Sequence, residues 1–210
     1  MIIVRVEVPV ACFRQSRARE CLESYPVPPP STVYGMLLSL VGETNRYLHC
    51  GVRLALALTK LPLKSTVIRT VHRFKERTAD PSNIRPHYQE ILTGVEFFVW
   101  INSDFETANP NLSSRLYQAF DNSSSITRFG GLSLGESRDL VDSIESIDIE
   151  VVAEYNNLHW LVQQENGHLT LSHWVNHLGQ HGTLWQRYKL QELEQKIPLD
   201  NNWIEITSCK

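Results

Sequence analysis

Four prolines within five residues, Pro26, Pro28, Pro29 and Pro30, stand directly before an apolar run from Thr32 to Val41, and this junction restricts the fold more than any other feature. Proline fixes φ and removes an amide donor, so the chain is held extended up to Ser31 or Thr32, either of which can cap a following helix. The run TVYGMLLSLV then predicts that helix, with Gly35 as the exception in its first turn. A glycine there costs about 1 kcal/mol relative to alanine. It implies either a group that approaches the backbone closely or tight packing on a sheet. Upstream, Phe13 to Arg19 has little hydrophobic pattern, so Arg14, Arg17 and Arg19 are expected to keep their charges in water, where they can meet an anion.

Elsewhere the pattern alternates between strand and helix. Ile2–Val8, Val52–Thr59, Lys64–Phe74 and Tyr88–Asn102 read as strands, and Leu112–Phe120 as a second helix introduced by Asn109, Pro110 and Asn111. Residues 75–87 are polar with two prolines and read as a loop or extended finger, and Ile147–Val152 reads as a strand. The order matches β-α-β-β-α-β, an α+β ferredoxin-like core with an elaborated hairpin in its middle and one open sheet face. In RNA-recognition modules of this topology that face receives single strands. Asn166-Gly167 between two short apolar stretches signals a hairpin, and residues 153–210 read as a smaller, β-rich subdomain appended to a first unit at 1–152.

Charge is segregated along the chain. The net charge is -3, yet residues 1–138 hold 16 Lys and Arg against 12 Asp and Glu, whereas residues 139–210 hold 4 against 11. Between 60 and 90 seven cations face Glu76, Asp80 and Glu90 alone. A basic strip with an acidic remainder fits anion binding on one side and protein subunits or solvent on the other. No apolar run is long enough to span a bilayer, and the N-terminus lacks a signal-peptide layout, so a cytoplasmic protein is expected. Cys12, Cys21, Cys50 and Cys209 show no paired spacing and are expected to be reduced.

Three motifs could carry chemistry. Phe129-Gly130-Gly131-Leu132-Ser133-Leu134-Gly135, flanked by Arg128 and Arg138, can bring backbone amides to phosphates or form a tight turn, and it is neither a Walker loop nor GxGxxG. His173, His177 and His181 have helical metal-ligand spacing, but Gly179 and Gly182 interrupt it and no carboxylate or cysteine completes a site. They read as polar surface histidines, and no metal or cofactor is expected. Tyr34, His72, Lys75 and His87 are suited to acid-base cleavage of RNA, or equally to plain binding by stacking and charge, which demands less exact geometry.

The arm Ala11-Cys12-Phe13-Arg14, the proline turn, the helix start Val33-Tyr34-Gly35-Met36 and the late Gly-Gly-Leu-Ser-Leu-Gly loop together resemble the Cas-five family of CRISPR-associated proteins, within the RAMP superfamily. The likeness covers about residues 1–152. It implies a ferredoxin-like core and a non-catalytic subunit that caps the 5′ handle of guide RNA in a type I Cascade complex. The implied partners are that RNA, the backbone and large subunits, and target DNA near its recognition motif, with no membrane. Carried over by position, Phe13, Arg14 and the helix start with Ser31, Thr32, Tyr34 and Gly35 would lie by the handle, and Arg17 and Arg19 join them as RNA-binding candidates through their charge. Arg69, His72, Arg73, Lys75, Arg77 and Arg85 would belong to a thumb-like hairpin, and Arg128, Gly130, Gly131, Ser133, Gly135 and Arg138 to the glycine-rich loop. One branch of the family cuts the guide precursor with a tyrosine, a lysine and a histidine. Here Lys75 is followed by Glu76 and His72 by Arg73, a departure from that pattern.

Overall fold

In a computed structural model, which describes residues 1–19, 21–72, 84–176 and 182–208, the chain forms one ten-stranded sheet with helices against it. The strands are β1 (Ile2–Ala11), β2 (Cys21–Leu22), β3 (Arg53–Leu58), β4 (Leu63–His72), β5 (Ile84–Asn102), β6 (Ser143–Ile147), β7 (Leu158–Gln163), β8 (Leu169–Trp174), β9 (Leu184–Leu193) and β10 (Ile204–Glu205). The helices are α1 (Pro30–Leu40), α2 (Leu112–Asp121) and the short α3 (Ile149–Ala153). The main strand order is β6-β1-β5-β3-β7-β9-β8, antiparallel throughout, with β10 added to β3 and with β2 and β4 added to β5. No described helix is long and apolar enough to cross a membrane.

The centre of the sheet follows from two sequences, RLALAL in β3 and VEFFVWI in β5. Leu54, Leu56, Leu58, Phe97, Val99 and Ile101 point to the face covered by α1 and α2. Ala55, Ala57, Phe98 and Trp100 point to the other. The small alanines matter: Ala55 lies opposite Trp100, and Ala57 opposite Phe98 and Trp160, leaving space for Trp100 and Trp160 to stack at 4.6 Å. This second face is not open. Ile149 and Val152 of α3, Tyr155 and Trp203 cover it, because aromatic side chains of this size need an apolar layer above them. The sheet face expected to receive a single strand is therefore a second core.

Helix α1 is capped two or three residues earlier than the expected Ser31 or Thr32. Pro29 is the N-cap, without a side-chain bond, and Pro30 is the first helical residue. Its missing N–H is one that a first turn leaves unpaired anyway, and its φ is preset for helix. The Ser31 hydroxyl instead shares a 2.7 Å hydrogen bond with Ser172 on β8. Helix α2 starts as the sequence implies, with the Asn111 side chain accepting from the Ser114 amide. A buried polar chain ties α2 to the loop after α1. Arg115 pairs with Glu43 and lies 3.2 Å from His49 Nε2, and His49 Nδ1 lies 3.2 Å from Glu106, with both His49 and Glu106 fully buried.

Two other expectations change. Ile147–Val152 is the end of β6 followed by α3, since Ile149 and Val152, three apart, both pack on the second face. Residues 158–174 do not form a hairpin, because β9 lies between β7 and β8 and pairs with both. Gly167 sits against β9, where a Cβ would fall 2.4 Å from the Tyr188 carbonyl oxygen. Residues 153–210 thus extend the same sheet, and Leu161, Leu171, Trp174, Tyr188, Ile204 and Ile206 share the main core with α1.

Candidate nucleic-acid interface

Helix α1 buries Val33, Tyr34, Met36, Leu37, Leu38 and Leu40, which leaves Thr32, Gly35 and Ser39 on its remaining face. That face lines a cleft of about 290 Å³ together with Ser31, Arg46, Ser172, Val175 and, from the glycine-rich loop, Ser133 and Gly135. It continues past Gly35 and Ser39 into a cleft of about 520 Å³ bordered by Thr127, Arg128 and Phe129. The Phe129 ring is fully exposed at that rim.

Two glycines set the width of this groove. Gly42 closes α1 at φ +68°, with its amide bonded to the Ser39 carbonyl and that of Glu43 to Leu38, a Schellman ending. A Cβ at Gly42 would lie 2.3 Å from the Thr127 carbonyl oxygen, so the absence of a side chain there lets the 127–129 segment cross the helix end. Gly35 admits Arg46, whose Nη1 would stand 3.3 Å from a Cβ at that position. Arg46 lies over the rings of Trp174 and Tyr34, at 5.4 and 5.8 Å from their centroids, and donates to the Ser31 carbonyl. Burial lowers its pKa from the ordinary guanidinium value, and it borders both clefts along α1 and a further one lined by Tyr47 and Trp174. Sequence reasoning missed Arg46. The glycine inside a helix was the signal, since it implied a close partner without saying which.

The expected site residues fall into separate groups. Thr32, Gly35, Ser133, Gly135 and Arg128 line the groove, with Gly130 and Gly131 exposed beside it. Arg14, Arg17 and Arg19 lie exposed on a loop that folds back beside β2, where Arg14 bridges Ser24 and donates to the Ala18 carbonyl. Arg69 and Arg85 are exposed on the β4–β5 ribbon, with Arg69 directly opposite His87. Arg138 is held by Glu136 and by Gln89 of β5, joining the glycine-rich loop to the ribbon's base. His72 ends β4, and Arg73, Lys75 and Arg77 lie outside the described residues.

Three of these residues are buried. Phe13 is 2% exposed and belongs to the main core, and Ser31 lines the groove beside Thr32 but has its hydroxyl bonded to Ser172. Tyr34 is fully buried, its hydroxyl donating to the Arg46 carbonyl at 2.7 Å, and burial pushes its pKa far up. The histidine trio also changes character. His173 is buried, sharing hydrogen bonds with Tyr188 and Thr207, because β8 rather than a helix carries it; His177 and His181 lie outside the described residues. Among the described residues no group of three or more His, Cys, Asp or Glu is placed to hold a metal. Cys12, Cys21 and Cys50 are free thiols.

Residues 1–113 match the family model described as CRISPR-associated protein (Cas_Cas5). Over 200 residues the chain is 36% identical to the CRISPR-associated protein Cas5 of Myxococcus xanthus (strain DK1622), covering 92% of this chain and 91% of that one. The chain belongs to the Cas5 family. The match to the Cas5 family model ends at the start of α2, so it includes α1, Gly42 and Arg46 but not the glycine-rich loop. The fold extends further. A chain of a solved CRISPR RNA-guided surveillance complex aligns with a TM-score of 0.62 at 13% identity, over 92% of this Cas5-family chain and 90% of its own length. A second solved structure, described as a Cas protein, aligns with a TM-score of 0.55 at 15% identity, over 94% and 97%.

Proposed function

We propose that this Cas5-family chain is a non-catalytic subunit of a Cascade-type surveillance complex that binds guide RNA and caps its 5′ handle. The observation that carries the reading is the α1 groove, where small and hydroxyl side chains, the Arg46 guanidinium and the glycine-rich loop face one another. Such a surface lets a sugar-phosphate backbone approach closely, with charge supplied by Arg46 and Arg128. The order β6-β1-β5-β3, with α1 and α2 as its crossovers, supports a ferredoxin-like core of the RAMP kind. The exposed arginines of the 14–19 loop and of the β4–β5 ribbon extend the basic surface along the RNA or toward target DNA. The acidic C-terminal third is suited to the backbone and large subunits, and the reading assigns the complex to the cytoplasm.

The absence of a cleavage role is supported by Tyr34, whose buried hydroxyl is committed to the Arg46 carbonyl and kept protonated. The test is retention of guide RNA by the purified protein. Arg14→Ala and Arg128→Ala should each weaken it and reduce the salt slope by about 0.7. Unchanged affinity in both would sink the assignment, and discrete cutting of a repeat-containing RNA in chelator would overturn the non-catalytic part.

A further inference from the structure

Four of the five tryptophans are buried or partly buried, and Trp185 alone is 38% exposed, near the start of β9. It stands between two clefts and lines both, together with Thr170. The first, of about 490 Å³, reaches Arg17 and Tyr25 of the N-terminal loop and His168. The second, of about 470 Å³, reaches Gln163, Gln164 and Arg187. Among the described residues lining the two clefts Glu165 alone is acidic, and the Arg187 guanidinium donates to its backbone carbonyl at 3.4 Å.

We propose that the Trp185 saddle is a second nucleic-acid contact, at which a base of single-stranded RNA stacks on the indole while Arg17 and Arg187 meet the flanking phosphates. At 38% exposure part of the Trp185 indole stays accessible beside both clefts, and an aromatic face between two cations is the arrangement that binds single strands without regard to sequence. Glutamine amides at one side can bond to base edges. The site deepens the reading above, since it rests on the chain binding RNA. It takes the strand onto β8 and β9, because Arg17 belongs both to the basic loop and to this cleft.

The test uses the full chain and a fluorescein-labelled uridine dodecamer at low salt, with anisotropy giving affinity and tryptophan emission reporting on stacking. Binding should quench the wild-type emission. Trp185→Leu should lose about five-fold or more in affinity, the lower end of a stacking contribution. Arg187→Ala should lose affinity and lower the salt slope by about 0.7, with both variants melting like wild type. Arg128→Ala should bind less tightly yet still be quenched. If Arg128→Ala weakens binding while Trp185→Leu and Arg187→Ala match the wild type, the saddle is overturned and the groove reading stands. If the wild type binds no RNA, both fall. Binding of polyglutamate, but not of RNA, that is lost in Trp185→Leu overturns the saddle in favour of an acidic peptide site.

Discussion

Arg46 lays its guanidinium against the bare backbone of Gly35, with Nη1 only 3.3 Å from where a Cβ would be. The neighbour is the end of a flexible side chain, so a methyl group can be admitted if Arg46 shifts slightly. Alanine also favours helix by about 1 kcal/mol. Gly35→Ala is therefore expected to raise Tm by up to about 3 °C while weakening RNA retention several-fold, because the methyl and the shifted Arg46 narrow the groove. Thermal unfolding and RNA binding measured on one sample check this, and a lower Tm with intact binding would contradict it.

Gly167 behaves differently, because its close neighbours are backbone atoms. A Cβ would lie 2.4, 2.5 and 2.6 Å from the Tyr188 carbonyl oxygen, carbonyl carbon and amide nitrogen. Tyr188 is paired on both sides, to β7 and β8, and has no room to retreat. Gly167→Ala should cost about 2–4 kcal/mol, seen as a fall in denaturant midpoint. A change within experimental error would show that the turn can be rebuilt.

The Glu43–Arg115–His49–Glu106 chain predicts strong coupling between α2 and the loop after α1. Arg115→Met leaves Glu43 without its cation and should destabilise by about 3 kcal/mol. Adding Glu43→Gln should recover at least about 1 kcal/mol. A double-mutant cycle by urea unfolding measures the coupling, and simple additivity would refute it.

His173 supplies a pH dependence. Burial lowers its pKa below the usual histidine value, against the smaller opposing pull of Glu205. Between that lowered value and about 6.5 the unfolded chain binds the extra proton and the folded chain does not. The stability from the neutral, buried ring is therefore complete above about 6.5, and is lost progressively as pH falls from there through the lowered folded value. Tm should decline from pH 7.5 to 5.5, and His173→Gln should flatten that decline.

What could be read from the sequence was what local pattern controls. β-branched alternation located β1, strand-like composition and an intervening turn located β3, β4 and β5, and a polar cap located α2. The junction from the prolines into α1 was legible to within two or three residues. The β7–β8 hairpin was misread because Asn166-Gly167 reports only that the chain turns there. Whether the two strands then meet, or admit a third, is decided by β9, many residues later. Within the candidate site, Gly35, Ser133, Gly135 and Arg128 were recognisable by type, and their sharing one groove was not. Phe13 and Tyr34 were recognisable as aromatics, but exposure is a tertiary property, and both are consumed by the core.

The position of β9 also imposes an order on biosynthesis. Strands β7 and β8 leave the ribosome first, yet neither can pair with the other, so both present open edges until residues 184–193 follow. Long-range pairing of this kind is slow, and unpaired edges invite aggregation. A chain interrupted before Leu184 is thus expected to be insoluble even though the N-terminal strands and α1 are complete. Assembly competence arrives late and abruptly, when β9 is threaded into its gap.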